Sequence, residues 1–462
     1  MRRLRLKQGQ YFIDNPSLTK EEKKGYKKHI NSKSKKWLVF CLLFNFIILA
    51  VLKYTNFVIS NANAVISATG GQPFSPINLL LPVGISFYTF QSMGYITDVY
   101  RGSEGEPNIF KFALFISFFP QIIQGPISRF NNLSKTLFIR QRFNFEAFQA
   151  GLARVLWGFF KKLVVADRLF KAVTVLSASP DEYKGVYVIM TMLFYAATLY
   201  SDFTGGIDIT IGTARMLGIE INENFNRPFY AVSVADYWRR WHISMGTWFK
   251  DYLFYPVSSS KIMLKLSQSI KKVFGAGLSK RVQLYMPVII VWSATGLWHG
   301  AQWYFVVWGL LNGAVMIISE EFRPLYAKFH KRFYFGQKFW YKAFQVCRTF
   351  FLTSLLGTFY VYADVRLTFK MCFSIIADFG FGRFLTQGLG NSGLRVSDYA
   401  VVICAILIMV AAGFLGYNKK VGFTKLGPGL RGALIAALFF IVIIFGVYGF
   451  GYDSQQFIYN QF

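Results

Sequence analysis

The feature that most constrains this chain is a series of long, continuous apolar runs. A helix needs about 20 predominantly apolar residues to cross a bilayer. Runs approaching or exceeding that length lie at 37–59, 77–97, 109–125, 151–170, 186–204, 283–300, 302–319, 345–362, 399–416 and 431–450. In lipid the backbone must satisfy its own polar groups, which leaves helices or closed barrels. Barrel strands alternate apolar and polar residues, and these runs do not. The expected fold is therefore all-α and polytopic, with about 8–11 transmembrane or re-entrant helices. The composition agrees, with 54% hydrophobic residues and 51 Phe among 462. Two segments are less regular. Residues 151–170 include Lys161, Lys162, Asp167 and Arg168 and read as amphipathic or interfacial. The stretch GGIDITIGTARMLGI (205–219) is short and Gly-rich, which suggests a re-entrant or broken helix facing a cavity.

The formal net charge is +29. In a soluble protein that value would point to nucleic acid. Here the basic residues cluster between apolar runs, as in loops at an anionic membrane surface, and no nucleic-acid-binding signature is present. Residues 1–36 hold twelve Lys and Arg against Asp14, Glu21 and Glu22. The loop 258–281 carries Lys261, Lys265, Lys271, Lys272, Lys280 and Arg281 with no acid. The excess of positive charge on cytoplasmic loops places both on the cytoplasmic side. The expected organisation is a basic cytoplasmic segment, 1–36, followed by a membrane-embedded domain, 37–462, in the cytoplasmic membrane. Residues 1–36 are too long and polar for a signal-peptide n-region, so the run from Trp37 reads as a retained helix. Cys41, Cys347, Cys372 and Cys404 are widely spaced and read as buried packing residues, with no disulfide framework or metal cluster.

Against this background His299 stands out. It lies in SATGLWHGAQWYFVVWGLLNG (293–313), where almost nothing else ionises. An ionisable residue within a membrane marks a functional site by default. Gly296 and Gly300 permit a close helix approach or a break beside it, and Trp298, Trp303 and Trp308 supply a water-excluding wall. Burial disfavours the imidazolium, and a neutral imidazole suits a general base. The alternative is a buried His bonded to a backbone carbonyl between helices.

A second histidine, His242, lies in NENFNRPFYAVSVADYWRRWHISMGTWFKDYLFYP (222–256). Ser233 or Ala235 is positioned to precede a helix, with Asp236 near its positive end. On that helix Asp236 and Arg240 are i,i+4 partners. Trp238, Trp241, Met245 and Trp248 form one apolar stripe, and Arg239 and His242 share another face. That cationic face suits a phosphate- or carboxylate-bearing ligand. The competing reading is an interfacial amphipathic helix with a Trp belt. Asp202 and Asp208 either line the same cavity or pair with Arg215 or with neighbouring helices. No Walker A pattern, Rossmann fingerprint, HExxH or strand–turn–helix GxSxG is present, so kinase, zinc-protease and serine-hydrolase readings fall away.

At these motifs the chain resembles the membrane-bound O-acyltransferase (MBOAT) family, in particular the bacterial branch typified by the alginate O-acetylation membrane protein. The matching pieces are FFPQIIQGPISRF, YSDFTGGIDITIGTARMLGI, the RRWHIS and GLWHG segments, and the C-terminal QQFIYNQF. The resemblance implies helices around a central funnel, with His299 catalytic and His242 supporting it. Asp236, Arg239, Arg240, Trp241, Trp298 and Asp202 become the candidate binding or supporting residues. It also implies an acyl donor arriving from the cytoplasm, expected to be acetyl-CoA or another acyl thioester, with no resident cofactor or metal. The acceptor would be an extracytoplasmic polysaccharide, with an SGNH-type acetyltransferase as partner. Relatives carry further apolar helices before the stretch matching 37–59, where this chain has its basic segment. Two other readings stand beside acetyl transfer. One is D-alanyl transfer to teichoic acid by the same fold; the other is a transporter or channel, disfavoured by the lack of internal repeats.

Overall fold

The structure, a computed structural model, describes residues 1–333, 338–417 and 423–449. The C-terminal QQFIYNQF motif lies outside the described residues. Among those described the regular structure is helical, without strands. The chain divides into two compact units, residues 1–122 with 127–139, and residues 123–126 with 140–462.

The first unit contains α1 (Arg2–Asp14), α2 (Lys20–Ala68), α3 (Ile85–Arg101), α4 (Ile109–Ile116) and α5 (Phe130–Leu137). Thr19 opens α2 with a capping box: its hydroxyl accepts from the Glu22 N–H while the Glu22 carboxylate accepts from the Thr19 N–H. At 49 residues α2 is about 73 Å long. The basic stretch 20–36 and the apolar run 37–59 therefore share one helix axis. Trp37, Phe40, Phe44 and Ile47 project outward from it, the arrangement expected of a lipid-facing surface. The run 77–97 becomes helical only from Ile85, after Pro82 and Gly84. The run 109–125 stops at Ile116, ahead of a turn at Pro120.

In the second unit α6 (Phe145–Phe159) passes through a π-helical turn, Phe160–Ala166, into α7 (Asp167–Ala178). It packs along α8 (Val186–Met216), which runs unbroken through most of the Gly-rich stretch expected to be re-entrant or broken. The glycines serve helix packing instead. A Cβ on Gly205 would lie 2.8 Å from the Gly158 carbonyl oxygen, and one on Gly212 would lie 2.7 Å from that of Gly151. Small residues of this kind let membrane helices approach backbone to backbone. The expected interfacial character of 151–170 resolves into buried ion pairs. Lys162 bonds Asp202 and Asp167 at 2.6 and 2.7 Å. Lys161 and Arg154 both engage Asp208, and Arg154 also holds Glu223.

Next come α9 (Val234–Arg240), α10 (Ile243–Phe249), a π turn over Lys250–Phe254, and α11 (Tyr255–Ser258). The remaining helices are α12 (Lys261–His299), α13 (Trp303–Glu321), α14 (Arg323–Phe333), α15 (Phe339–Tyr362), α16 (Val365–Ala377), α17 (Phe381–Gln387), α18 (Val396–Tyr417) and α19 (Pro428–Phe445). The basic stretch 258–281 is mostly helix where a loop was expected. It reverses at Gly275 (φ 84°, ψ 173°), so that Ser267 and Ser279, twelve residues apart, bond side chain to side chain at 2.8 Å. Among the described residues five helices are long and apolar enough to cross a membrane: α2, α8, α13, α18 and α19. The other expected runs fall on helices that are shorter or more polar. All four cysteines are free, and Cys347 and Cys404 are exposed, contrary to the expected burial. A surface that faces lipid accepts a thiol as a small apolar group.

Candidate active site

Helices α12 and α13 form a hairpin whose backbones touch. A Cβ on Gly296 would sit 2.4 Å from the Phe305 carbonyl oxygen, and one on Gly309 would sit 2.4 Å from that of Trp292. Helix α12 ends at His299, and Gly300 continues in an extended conformation. The imidazole of His299 is enclosed by rings. Its centroid lies 5.1 Å from Trp298, 5.0 Å from Trp308 and 6.0 Å from Tyr360, each edge-on. Trp298 and Trp308 are buried as expected, but Trp303, placed in the same wall from the sequence, is 57% exposed.

The other histidine is delivered by a break. Ser233 caps α9 by accepting from the Asp236 N–H at 3.1 Å, and Asp236 pairs with Arg240 at 3.0 Å, both as the spacing predicts. The helix then stops. Trp241 is extended and His242 takes a left-handed conformation (φ 47°, ψ 52°) before α10 begins. The cause is the preceding loop. Asn224 accepts the N–H groups of Ile243 and Ser244, and the Arg240 carbonyl accepts from the Asn226 N–H, each at 2.9 Å. These bonds replace the i→i−4 bonds a continuous helix would need. Among the described residues, Arg227, His242 and Ala363 are the three non-glycine residues with positive φ. Strain of this kind gathers at functional sites.

The break overturns two expectations. Trp238 and Trp241 do not share a stripe. Trp238 packs against Trp292 and Trp308 and donates to Asn312 at 3.2 Å, while Trp241 stacks on Tyr237 and meets Phe203 and Phe225. Nor do Arg239 and His242 share a face, since the Arg239 side chain is 70% exposed and His242 is fully buried. Both arginines lean on Asp236. Burial alone would raise that carboxyl, but the bond and charge of Arg240, the Val232 N–H and Arg239 outweigh it and hold it below the usual carboxylate range.

The ring of His242 lies 4.9 Å from Phe203 and 5.9 Å from Trp298. Trp298 therefore borders both histidines and joins the two motifs into one site. Asp202, the residue before Phe203, is held in the ion pair with Lys162, and Asp208 pairs with Arg154 and Lys161 rather than with Arg215. Among the described residues no three His, Cys, Asp or Glu side chains converge as a metal site. Sequence reasoning missed Asn224, Asn312 and Tyr360. Asn312 falls within the quoted Trp-rich motif, but a helical polar residue gives no sign of its partner 74 residues away. Asn224 lies in an irregular loop, where no periodicity links it to His242.

The model of the membrane-bound O-acyltransferase family matches residues 97–362, which span the whole of this site. The chain belongs to that family. It is 36% identical over 291 residues to a probable alginate O-acetylase of Azotobacter vinelandii, covering 63% of this chain and 54% of that protein. It is 30% identical over 327 residues to a peptidoglycan O-acetyltransferase of Helicobacter pylori, covering 65% and 58%. A teichoic acid D-alanyltransferase of Streptococcus thermophilus is 26% identical over 302 residues, 64% of this chain and 67% of the relative. The chain spans about half the length of the alginate O-acetylases it matches. As an MBOAT protein with five apolar spans among the described residues, it is a multi-pass membrane protein.

Proposed function

We propose that this MBOAT protein is an O-acetyltransferase of the cytoplasmic membrane that acetylates an extracytoplasmic polysaccharide. The observation that carries the reading is the pair His242 and His299 flanking one buried indole within an aromatic enclosure. The donor is a cytoplasmic acyl thioester, acetyl-CoA or an equivalent. His299 removes the proton from the attacking hydroxyl, the oxygen attacks the acyl carbonyl, the carbon–sulfur bond breaks, and the thiolate takes up a proton. The aromatic rings keep water from competing for the donor. The attacking hydroxyl belongs either to the sugar or to a serine of an SGNH-type partner outside the membrane. Residues 1–36 and 258–281 lie on the cytoplasmic side, following their excess of Lys and Arg. Arg239, Arg240 and Asp236 frame the donor side, and Trp241, Trp298 and Asp202 support the two histidines.

The O-acetyl relatives, at 36% and 30% identity, favour acetyl over D-alanyl, whose relative stands at 26%. The test is His299→Ala in cells. Surface polysaccharide should lose its ester-linked acetyl while the protein still accumulates in the membrane. Normal acetylation would overturn the assignment of His299. Loss of ester-linked alanine in its place would move the reading to D-alanyl transfer.

A further inference from the structure

We infer that His242 carries its proton on Nε2 and acts as a hydrogen-bond donor rather than a base, and that Asn224 is the positioning residue that fixes it so. Asn224 is fully buried, 18 residues before His242. Its backbone carbonyl accepts the Ile243 N–H, and its Oδ1 accepts the Ser244 N–H, both at 2.9 Å. The second bond identifies the two ends of the side-chain amide, because a backbone N–H donates to oxygen and not to an NH2 group. The remaining end, Nδ2, lies 3.2 Å from His242 Nδ1, closer than the 3.4 Å from Oδ1 to the same nitrogen.

The nearer contact sets the direction, with the NH2 group donating to the ring nitrogen, and a nitrogen that accepts carries no proton; the longer Oδ1 contact belongs to the opposite tautomer. Burial among aromatic rings disfavours the imidazolium. A neutral imidazole holds one proton, which is then on Nε2. The left-handed backbone of His242 reinforces this arrangement. The same two backbone N–H groups that end the helix at Arg240 are the ones Asn224 holds.

The consequence divides the labour between the two histidines. The Nδ1 lone pair of His242 is engaged by Asn224, and Nε2 presents N–H. This ring has no lone pair with which to take a proton from a hydroxyl, so the base is His299. A fixed N–H beside the reacting acyl group can stabilise the negative charge that grows on the carbonyl oxygen during attack. No proton leaves His242 in that role. The hydroxyl proton passes to His299, and the Nε2 proton stays in place through the step. This second half rests on the proposed acyl transfer; the tautomer itself does not.

The experiment is 15N NMR of the full chain, labelled with [15N]histidine and reconstituted in lipid. With four His in the sequence, a spectrum of His242→Gln assigns the signal by difference. At neutral pH His242 should show an unprotonated Nδ1 and a protonated Nε2. In Asn224→Asp, where both side-chain ends accept, the proton should move to Nδ1. Acetyl transfer in that variant should fall about 10²-fold or more, the usual loss of an aligned donor. A protonated Nδ1 with bare Nε2 in the unmodified protein overturns the inference, even if acetyl transfer is normal. The expected tautomer in a protein without acyl-transfer activity would support the assignment while removing the proposed function. If Asn224→Asp does not accumulate, the spectrum of the unmodified protein still decides.

Discussion

Gly296→Ala should disable transfer without unfolding the chain. The added Cβ would lie 2.4 Å from the Phe305 carbonyl oxygen and 3.1 Å from Val306 Cα, where ordinary contacts begin near 3.4 Å. Both obstacles are backbone, so rotating a side chain cannot relieve the clash. Helices α12 and α13 must separate by about 1 Å, three residues from His299, at an overpacking cost of about 1–3 kcal/mol. A displacement of about 1 Å at reacting groups is enough to cost about 10²-fold in rate. Gly313→Ala is the internal control. The three atoms nearest its Cβ all belong to the Trp292 side chain, at 3.1–3.3 Å, so the neighbour has to give by only a few tenths of an ångström. The assay is ester-linked acetyl on surface polysaccharide, normalised to folded protein in the membrane, beside thermal midpoints in detergent. Gly296→Ala should lose most transfer with a modest drop in midpoint, while Gly313→Ala should stay near the unmodified level. If Gly296→Ala transferred acetyl within about threefold of the unmodified chain, close backbone approach would not be what sets His299.

Three further outcomes follow from the same geometry. Lys162→Met leaves Asp202 and Asp167 buried without their shared cation, so folded protein in the membrane should fall, consistent with about 3–5 kcal/mol for a broken buried pair; adding Asp202→Asn should recover part of it in a fluorescence-detected stability screen. Asn312→Leu removes the acceptor for Trp238 and the donor to the Trp308 carbonyl, so the thermal midpoint should drop by the equivalent of about 1–3 kcal/mol, and an unchanged midpoint would dismiss this link between α9 and α13. Asp236→Asn tests the depressed carboxyl. Stability from that group is present above the unfolded carboxyl value, about 4, and is lost as pH falls through the lower folded value, so the gap between parent and variant midpoints should be full at pH 7 and close on acidification.

Much of this molecule was legible because membrane burial leaves a blunt signal. The runs at 37–59, 186–204, 302–319 and 399–416, and the part of 431–450 up to Phe445, fall on the five helices that qualify as spans. Ser233 as a cap and Asp236 with Arg240 were readable too, since both depend on neighbours within one turn. Two of the errors share one origin. A continuous helix through 233–249 was the natural reading of WRRWHISMGTW, but its hydrogen bonds were claimed by Asn224 and Asn226 from outside the pattern. Gly205 and Gly212 suggested a break for a similar reason. Their lack of side chains proved to serve an approaching helix, and periodicity carries no sign of the partner.

The distribution of charge bears on how two histidines come to share one aromatic enclosure. The ionisable residues that looked like cavity linings are already matched. Lys162 answers Asp202 and Asp167, Arg154 and Lys161 answer Asp208, and Asp236 takes both Arg239 and Arg240. The lysine and Arg154 pairs tie the α6–α7 segment to α8, the Asp236 pairs stay within α9, and the aromatic enclosure is left to Phe203, Trp298, Trp308 and Tyr360. An unmatched carboxylate beside His299 would favour its charged form and leave less neutral imidazole at rest. An enclosure of rings does the reverse, and under the proposed acyl transfer it would keep out the water that competes for the donor. The buried ion pairs and the aromatic shell are therefore two halves of one arrangement, in which charge is confined to the scaffold so that the reacting proton has few other places to go.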